Sequence, residues 1–193
     1  MKAIFLDIDG VLNAYSTNPA YRSKSRCGSI MGIDKDKVRR LATIVEKTSA
    51  KLILISSWKI GWVPNKHYNI HEEDILFPHA KYLDNHLKKK GGLRIYDKTK
   101  EKDPMMRGSG IRDYLQAYPE ITEYVVLDDE IFPDYKECGI FPHLVLIDSC
   151  FGLQDFDISH IIDILNGKLN EDEFPHHYSE SVNSSDYLDV ILS

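Results

Sequence analysis

The sequence predicts an α/β fold, a parallel sheet with helices on both of its faces. Short apolar runs alternate with amphipathic stretches at helical spacing along the chain. Three of those runs end in polar residues suited to chemistry: Asp7 and Asp9, then Ser56, then Asp128 and Asp129. Parallel strands covered on both faces read as continuous apolar segments. Ligands bind such sheets beyond the carboxyl ends of the strands.

The elements follow in order. Residues 2–6 are a short apolar strand that stops at Asp7. Residues 14–32 are polar, with Ser, Tyr, Arg and Lys interspersed, and read as a loop or small lid. Asp34 is placed to cap a helix running to about Thr48, with Val38, Leu41 and Val45 along one face. Residues 51–55 form a second strand, followed by Ser56, Ser57 and Trp58. Residues 79–90 read as a helix stopped by Gly91 and Gly92, and residues 96–106 are too polar for core. Ser109 is expected to cap a helix with Ile111, Tyr114, Leu115 and Tyr118 on one face. Residues 123–127 are a third buried strand ending at Asp128, Asp129 and Glu130, and residues 143–147 a fourth. Ile158, Ile161, Ile162 and Leu165 mark a last helix. Residues 1–167 are therefore expected to form one domain, with a short loop at 13–33 and a small insertion at 59–106. Residues 168–193 read as an acidic tail, either loose or with a short docking segment at 187–192.

A chain of 193 residues buries a sizeable core. Its 42% hydrophobic and 28% charged content is ordinary for a globular protein. The net charge of −6 supplies no global basic field for a polyanion, although a cleft can be basic locally. Lys88, Lys89 and Lys90 read as a solvated helix end. Cys27, Cys138 and Cys150 are odd in number and lack CxxC spacing, which fits a reduced compartment. The apolar start is too short for a signal peptide, and no 18-residue apolar run is present to span a membrane. A soluble cytoplasmic protein is expected, its oligomeric state unassigned.

The stretch IFLDIDGVLN, residues 4–13, sets Asp7 and Asp9 one residue apart at the end of a buried strand. Carboxylates that close repel one another and lose hydration when covered, so they need a cation or other partners. Together with LILISSW, the Arg107 segment and VVLDDE, this stretch resembles the four ordered motifs of the haloacid dehalogenase (HAD) superfamily of phosphohydrolases. More narrowly, SSWK, RGxxI, LDDE and a late FGL resemble a small-cap branch associated with nucleic-acid repair phosphatases and nucleotidases. In that branch Arg is common where this chain has Lys59, and an acid where it has Gly110.

The resemblance implies a Rossmann-like fold with a minimal cap and gives each motif residue a role. Asp7 would be the nucleophile that forms an aspartyl-phosphate. Asp9 would protonate the leaving oxygen and then activate water. An anion attacking an anion needs charge relief, so Mg²⁺ is expected, held by Asp7, Asp128, the Asp9 carbonyl and Asp129, the last directly or through water. Gly10 would permit close backbone approach to the phosphate. The Ser56 hydroxyl, the Ser57 amide and Lys59 would bind substrate, and Arg107 would balance the transferring group, with Lys100 and Lys102 as competitors for that task.

Other readings are weighed by order and spacing. A dehalogenase has less need of an acid two residues after the nucleophile. A phosphorylation receiver places the acidic pair first, the reverse of this order. A non-catalytic binding protein of the same fold remains an alternative, as do phosphatases of small metabolites or phosphoproteins. Trp58 and Trp62 read as packing residues, and His176 and His177 as tail residues without function. Residues 13–33 are too short for a large substrate-selecting cap, and 59–106 suffice only for a partial cover. An open site of that kind suits a bulky substrate such as a nucleotide or a nucleic-acid end.

Overall fold

The computed structural model describes residues 1–14, 32–63, 78–101 and 103–168. The expected lid, Lys102, Cys27, the two tail histidines and the acidic tail lie mainly or wholly outside the described residues. Five parallel strands form one sheet in the order β3-β2-β1-β4-β5: β1 Lys2–Leu6, β2 Lys51–Leu54, β3 Ile95–Lys98, β4 Glu123–Asp128 and β5 Leu144–Leu146. The helices are α1 Lys35–Thr48, α2 Pro78–Gly91, α3 Arg107–Ala117 and α4 Asp155–Leu165.

The central strand shows why the sheet must be covered twice. Ile4 and Leu6 face one apolar cluster and Ala3 and Phe5 the other, as the period of two in a strand requires. On the first face lie α1, α2 and α4, through Val38, Leu41, Leu83, Leu87 and Ile161. On the second face lie α3 and the segment after β4, through Ile111, Tyr114, Phe132 and Tyr135. Phe5 meets the edges of Tyr114 and Tyr124 there, at centroid distances of 5.8 and 5.7 Å.

The cap expected for α1 is present: Asp34 Oδ1 accepts from the amides of Asp36 (2.7 Å) and Lys37 (3.3 Å). Two expectations need correction. The polar stretch 96–106 begins inside strand β3, which pairs with β2 at the edge of the sheet and carries its charged residues there. Thr99, just beyond it, is fully buried. Ser109 does not cap α3, because the helix already starts at Arg107. The amides of Gly108 and Ser109, which have no partner within the helix, instead donate to the carboxylate of Asp134, at 3.0 and 2.7 Å. A carboxylate at a helix N-terminus suits both the unpaired N–H groups and the helix dipole.

Candidate active site

The carboxyl ends of β2, β1 and β4 lie side by side. The Asp7 amide donates to Leu127 O (2.9 Å) and the Ile55 amide to Leu6 O (3.0 Å), so the ladders continue one residue past β1 and β2, to Asp7 and to the residue before Ser56. Asp7 and Asp128 are buried there, and Asp129 is half-buried beside them. Carboxylate oxygens of Asp7, Asp128 and Asp129 all lie within 4.8 Å of one another.

Three buried or half-buried acids at that range cannot all stay charged without compensation. Burial first, then Asp128, raises the Asp7 carboxyl well above its usual range, against the opposing pull of Arg107. Burial also raises Asp128, with Arg107 and Tyr135 opposing. Asp129 is pushed up to about 7 by burial, Asp128 and Glu130. The principal compensation is Arg107, whose Nη1 donates to Asp7 Oδ1 (3.0 Å) and to Asp128 Oδ2 (2.6 Å). Burial would lower the basicity of this guanidinium, but the two carboxylates more than reverse that effect. Its Cζ lies 4.0 Å from the centre of the Phe132 ring, a cation–π contact that orients the fork. Tyr135 donates its hydroxyl to Asp128 Oδ2 at 2.6 Å.

Asp9 points elsewhere. Its Oδ1 accepts from Asn13 Nδ2 (2.9 Å) and its Oδ2 from the indole Nε1 of Trp58 (2.9 Å). Asn13 Oδ1 accepts in turn from the Gly10 amide at 2.9 Å. Gly10 has φ +72°, and a Cβ there would lie 2.2 Å from Asp129 Oδ2. Only glycine gives both that backbone and the room for Asp129.

At the end of β2, Ser56 is buried and Ser57 exposed. Ser56 Oγ accepts from the Trp58 amide (3.4 Å) and so caps the short turn Ser57–Lys59. Lys59 turns its ammonium to Thr99 Oγ1 (3.1 Å) and to the Glu101 carboxylate. Glu101 fits because Gly110 has no side chain, a Cβ there lying 2.9 Å from Glu101 Oε2. Among the three candidates for the balancing cation, Arg107 contacts the acids, Lys100 is exposed and Lys102 is outside the described residues.

The sequence therefore brought forward Asp7, Asp128, Asp129 and Arg107, which do converge. It missed Asn13, Tyr135, Asp134 and the polar end of Trp58. Asn13 ends the stretch IFLDIDGVLN, and a polar residue in that apolar setting is the signal that points to it. Nothing in the local pattern distinguishes Tyr135 or Asp134. The late FGL has a structural place, with the Leu153 amide donating to Val11 O (2.9 Å) and so bracing the loop after β1.

The donors at the acidic cluster are hard oxygens, which suit a divalent cation such as Mg²⁺. No helix among the described residues is long and apolar enough to cross a membrane. No curated protein and no solved structure matches the chain. A family model, described as the HAD domain in Swiss Army Knife RNA repair proteins, matches residues 3–158. That span runs from β1 through the start of α4 and holds every residue of the acidic site, so the chain belongs to this family of hydrolase-type HAD domains.

Proposed function

We propose that the protein is a Mg²⁺-dependent phosphomonoesterase that works through an aspartyl-phosphate on Asp7. The observation that supports this best is the convergence of Asp7, Asp128 and Asp129 at adjoining strand ends, with Arg107 across two of them and Asp9 beside them. A cation held by Asp7, Asp128, Asp129 and the Asp9 carbonyl would supply the positive charge that lets one anion approach another.

The chain's own groups do the rest. A carboxylate oxygen of Asp7 attacks phosphorus, the ester P–O bond breaks, and the leaving oxygen takes a proton from Asp9. Water then attacks phosphorus and gives its proton to Asp9 as the P–O bond to Asp7 breaks. Inorganic phosphate leaves with both aspartates restored. Arg107 supplies a fixed charge for the phosphoryl oxygens, held in place by Phe132 and by the capped start of α3. The Ser56 hydroxyl, the Ser57 amide and the Gly10 backbone would bind the phosphoryl oxygens, with Lys59, paired to Glu101, a second cation for them.

The substrate we propose is a nucleic-acid terminal phosphate or a nucleotide. The family's description as a domain of RNA repair proteins favours this class. Phosphate release from 3′- and 5′-phosphorylated oligonucleotides, compared with nucleotides, sugar phosphates and phosphopeptides, tests it. Preference for an oligonucleotide end or a nucleotide is expected. Release from none of these substrates at saturating Mg²⁺ would favour a binding protein of the same fold.

A further inference from the structure

Trp58 was expected to be a packing residue, and its ring does pack: it sits 6.2 Å from His79 and 6.5 Å from Tyr82, both on α2. Its polar end has another destination. The indole Nε1, an obligate donor, meets Asp9 Oδ2 at 2.9 Å. The turn that carries it is capped by Ser56, itself buried at the end of β2. Asn13 holds the other oxygen of Asp9 while also tying down the Gly10 amide. Both carboxylate oxygens are thus fixed by neutral donors from two elements, whereas the carboxylates of Asp7 and Asp128 are held by Arg107. Asp9 itself remains half-buried, accessible to a reacting group.

We infer that Trp58 is a positioning residue for proton transfer by Asp9, a role that deepens the phosphomonoesterase reading and rests on it. The indole fixes the rotation of the carboxyl so that its proton is delivered to the leaving oxygen as the P–O bond breaks. Helix α2, through His79 and Tyr82, keeps the indole in place. Among the described residues, the helix within the insertion after β2 thus reaches Asp9 through the Trp58 ring.

Trp58→Phe removes the N–H and leaves a smaller aromatic ring in its place. Its effect is read as kcat/KM across phosphomonoesters whose leaving groups become less acidic, from nitrophenyl to phenyl to alkyl phosphate. Because kcat/KM reports the steps up to departure of the alcohol, the loss should be smallest for nitrophenyl phosphate. It should grow to about 10- to 100-fold for alkyl phosphate, the size of a lost hydrogen bond to a charged group. Asp9→Asn in the same series should show a steeper trend. An equal loss across the series for Trp58→Phe, with Asp9→Asn still steep, overturns the positioning role alone. A flat series for Asp9→Asn overturns the acid assignment beneath it. The contact is checked without turnover by proton NMR: the Trp58 indole N–H, assigned by its absence in Trp58→Phe, should lie downfield and move upfield in Asp9→Ala. An indole signal unmoved by Asp9→Ala contradicts the proposal.

Discussion

Replacing Gly10 by alanine tests the construction of the acidic site with one methyl group. The new Cβ would lie 2.2 Å from Asp129 Oδ2, 2.3 Å from Cγ and 2.7 Å from Cβ. Rotating the Asp129 side chain moves the first two atoms but leaves the third, so the backbone of one loop must shift. At φ +72° an L-residue carries about 1–2 kcal/mol of strain. Forcing a methyl into a filled space adds about 1–3 kcal/mol. The variant should therefore lose about 2–5 kcal/mol, which for a chain of this size lowers the melting temperature by about 5–15 °C. Displacing Asp129 should also weaken cation binding. Mg²⁺ raises the stability of whichever form binds it by RT ln(1 + [Mg²⁺]/Kd), so the rise in melting temperature with added Mg²⁺ should be smaller than in wild type. Thermal melts with and without Mg²⁺ decide the matter. A variant that melts like wild type and responds equally to Mg²⁺ would show that the place of Asp129 does not depend on Gly10, and would refute this reasoning.

Further outcomes follow from the same geometry. The folded Asp129 carboxyl sits at about 7, above its unfolded value near 4. The metal-free native state therefore holds the extra proton between those values, and stability falls as pH rises through that window. Asp129→Asn in EDTA should melt higher than wild type at pH 8, by about 2 kcal/mol after allowance for solvent on its exposed side, with the gap closing toward pH 4. A constant gap would contradict the assignment. Asp134→Ala should cost about 1–2 kcal/mol by uncapping α3, and should lower kcat about tenfold by loosening Arg107, the first residue of that helix. Asp134→Asn should recover part of both, as melts and steady-state rates would show. Asp128→Ala should weaken Mg²⁺ affinity more than Asp129→Ala, shifting a titration of rate against Mg²⁺ further toward high concentration, because Asp128 is the more deeply enclosed.

The parts of the fold that were legible are those set by local chemistry. β1, β2 and β4 were visible because strands covered on both faces carry unbroken apolar runs. The start of α1 was visible because Asp34 caps its own helix. Strand β3 was not, since IYDK lies at the sheet edge and is held by ladder bonds to β2 rather than by burial. The start of α3 was misplaced for a related reason: its cap, Asp134, lies 26 residues beyond the amide it serves. The acidic site was legible because parallel topology alone brings successive strand ends together, whatever the loops do. Trp58 was read as packing because an indole's apolar body gives a local signal and its N–H gives none. Its partner Asp9 is 49 residues away. Likewise Lys59 could be marked as a cation near the site, but its pairing with Glu101 across the space left by Gly110 required the fold.

The central claim is that phosphate passes through a covalent bond to Asp7. Rapid-quench mass spectrometry of the Asp9→Asn variant, mixed with nitrophenyl phosphate and Mg²⁺, addresses it most directly. This leaving group departs with little protonation, whereas hydrolysis of the acyl phosphate lacks its base and slows by about 10²–10⁴-fold. One phosphoryl group should therefore accumulate on the peptide containing Asp7, and should be absent when Asp7→Asn is added to the variant. Steady phosphate release with no phosphoryl group on Asp7, or turnover that survives Asp7→Asn, would contradict the account.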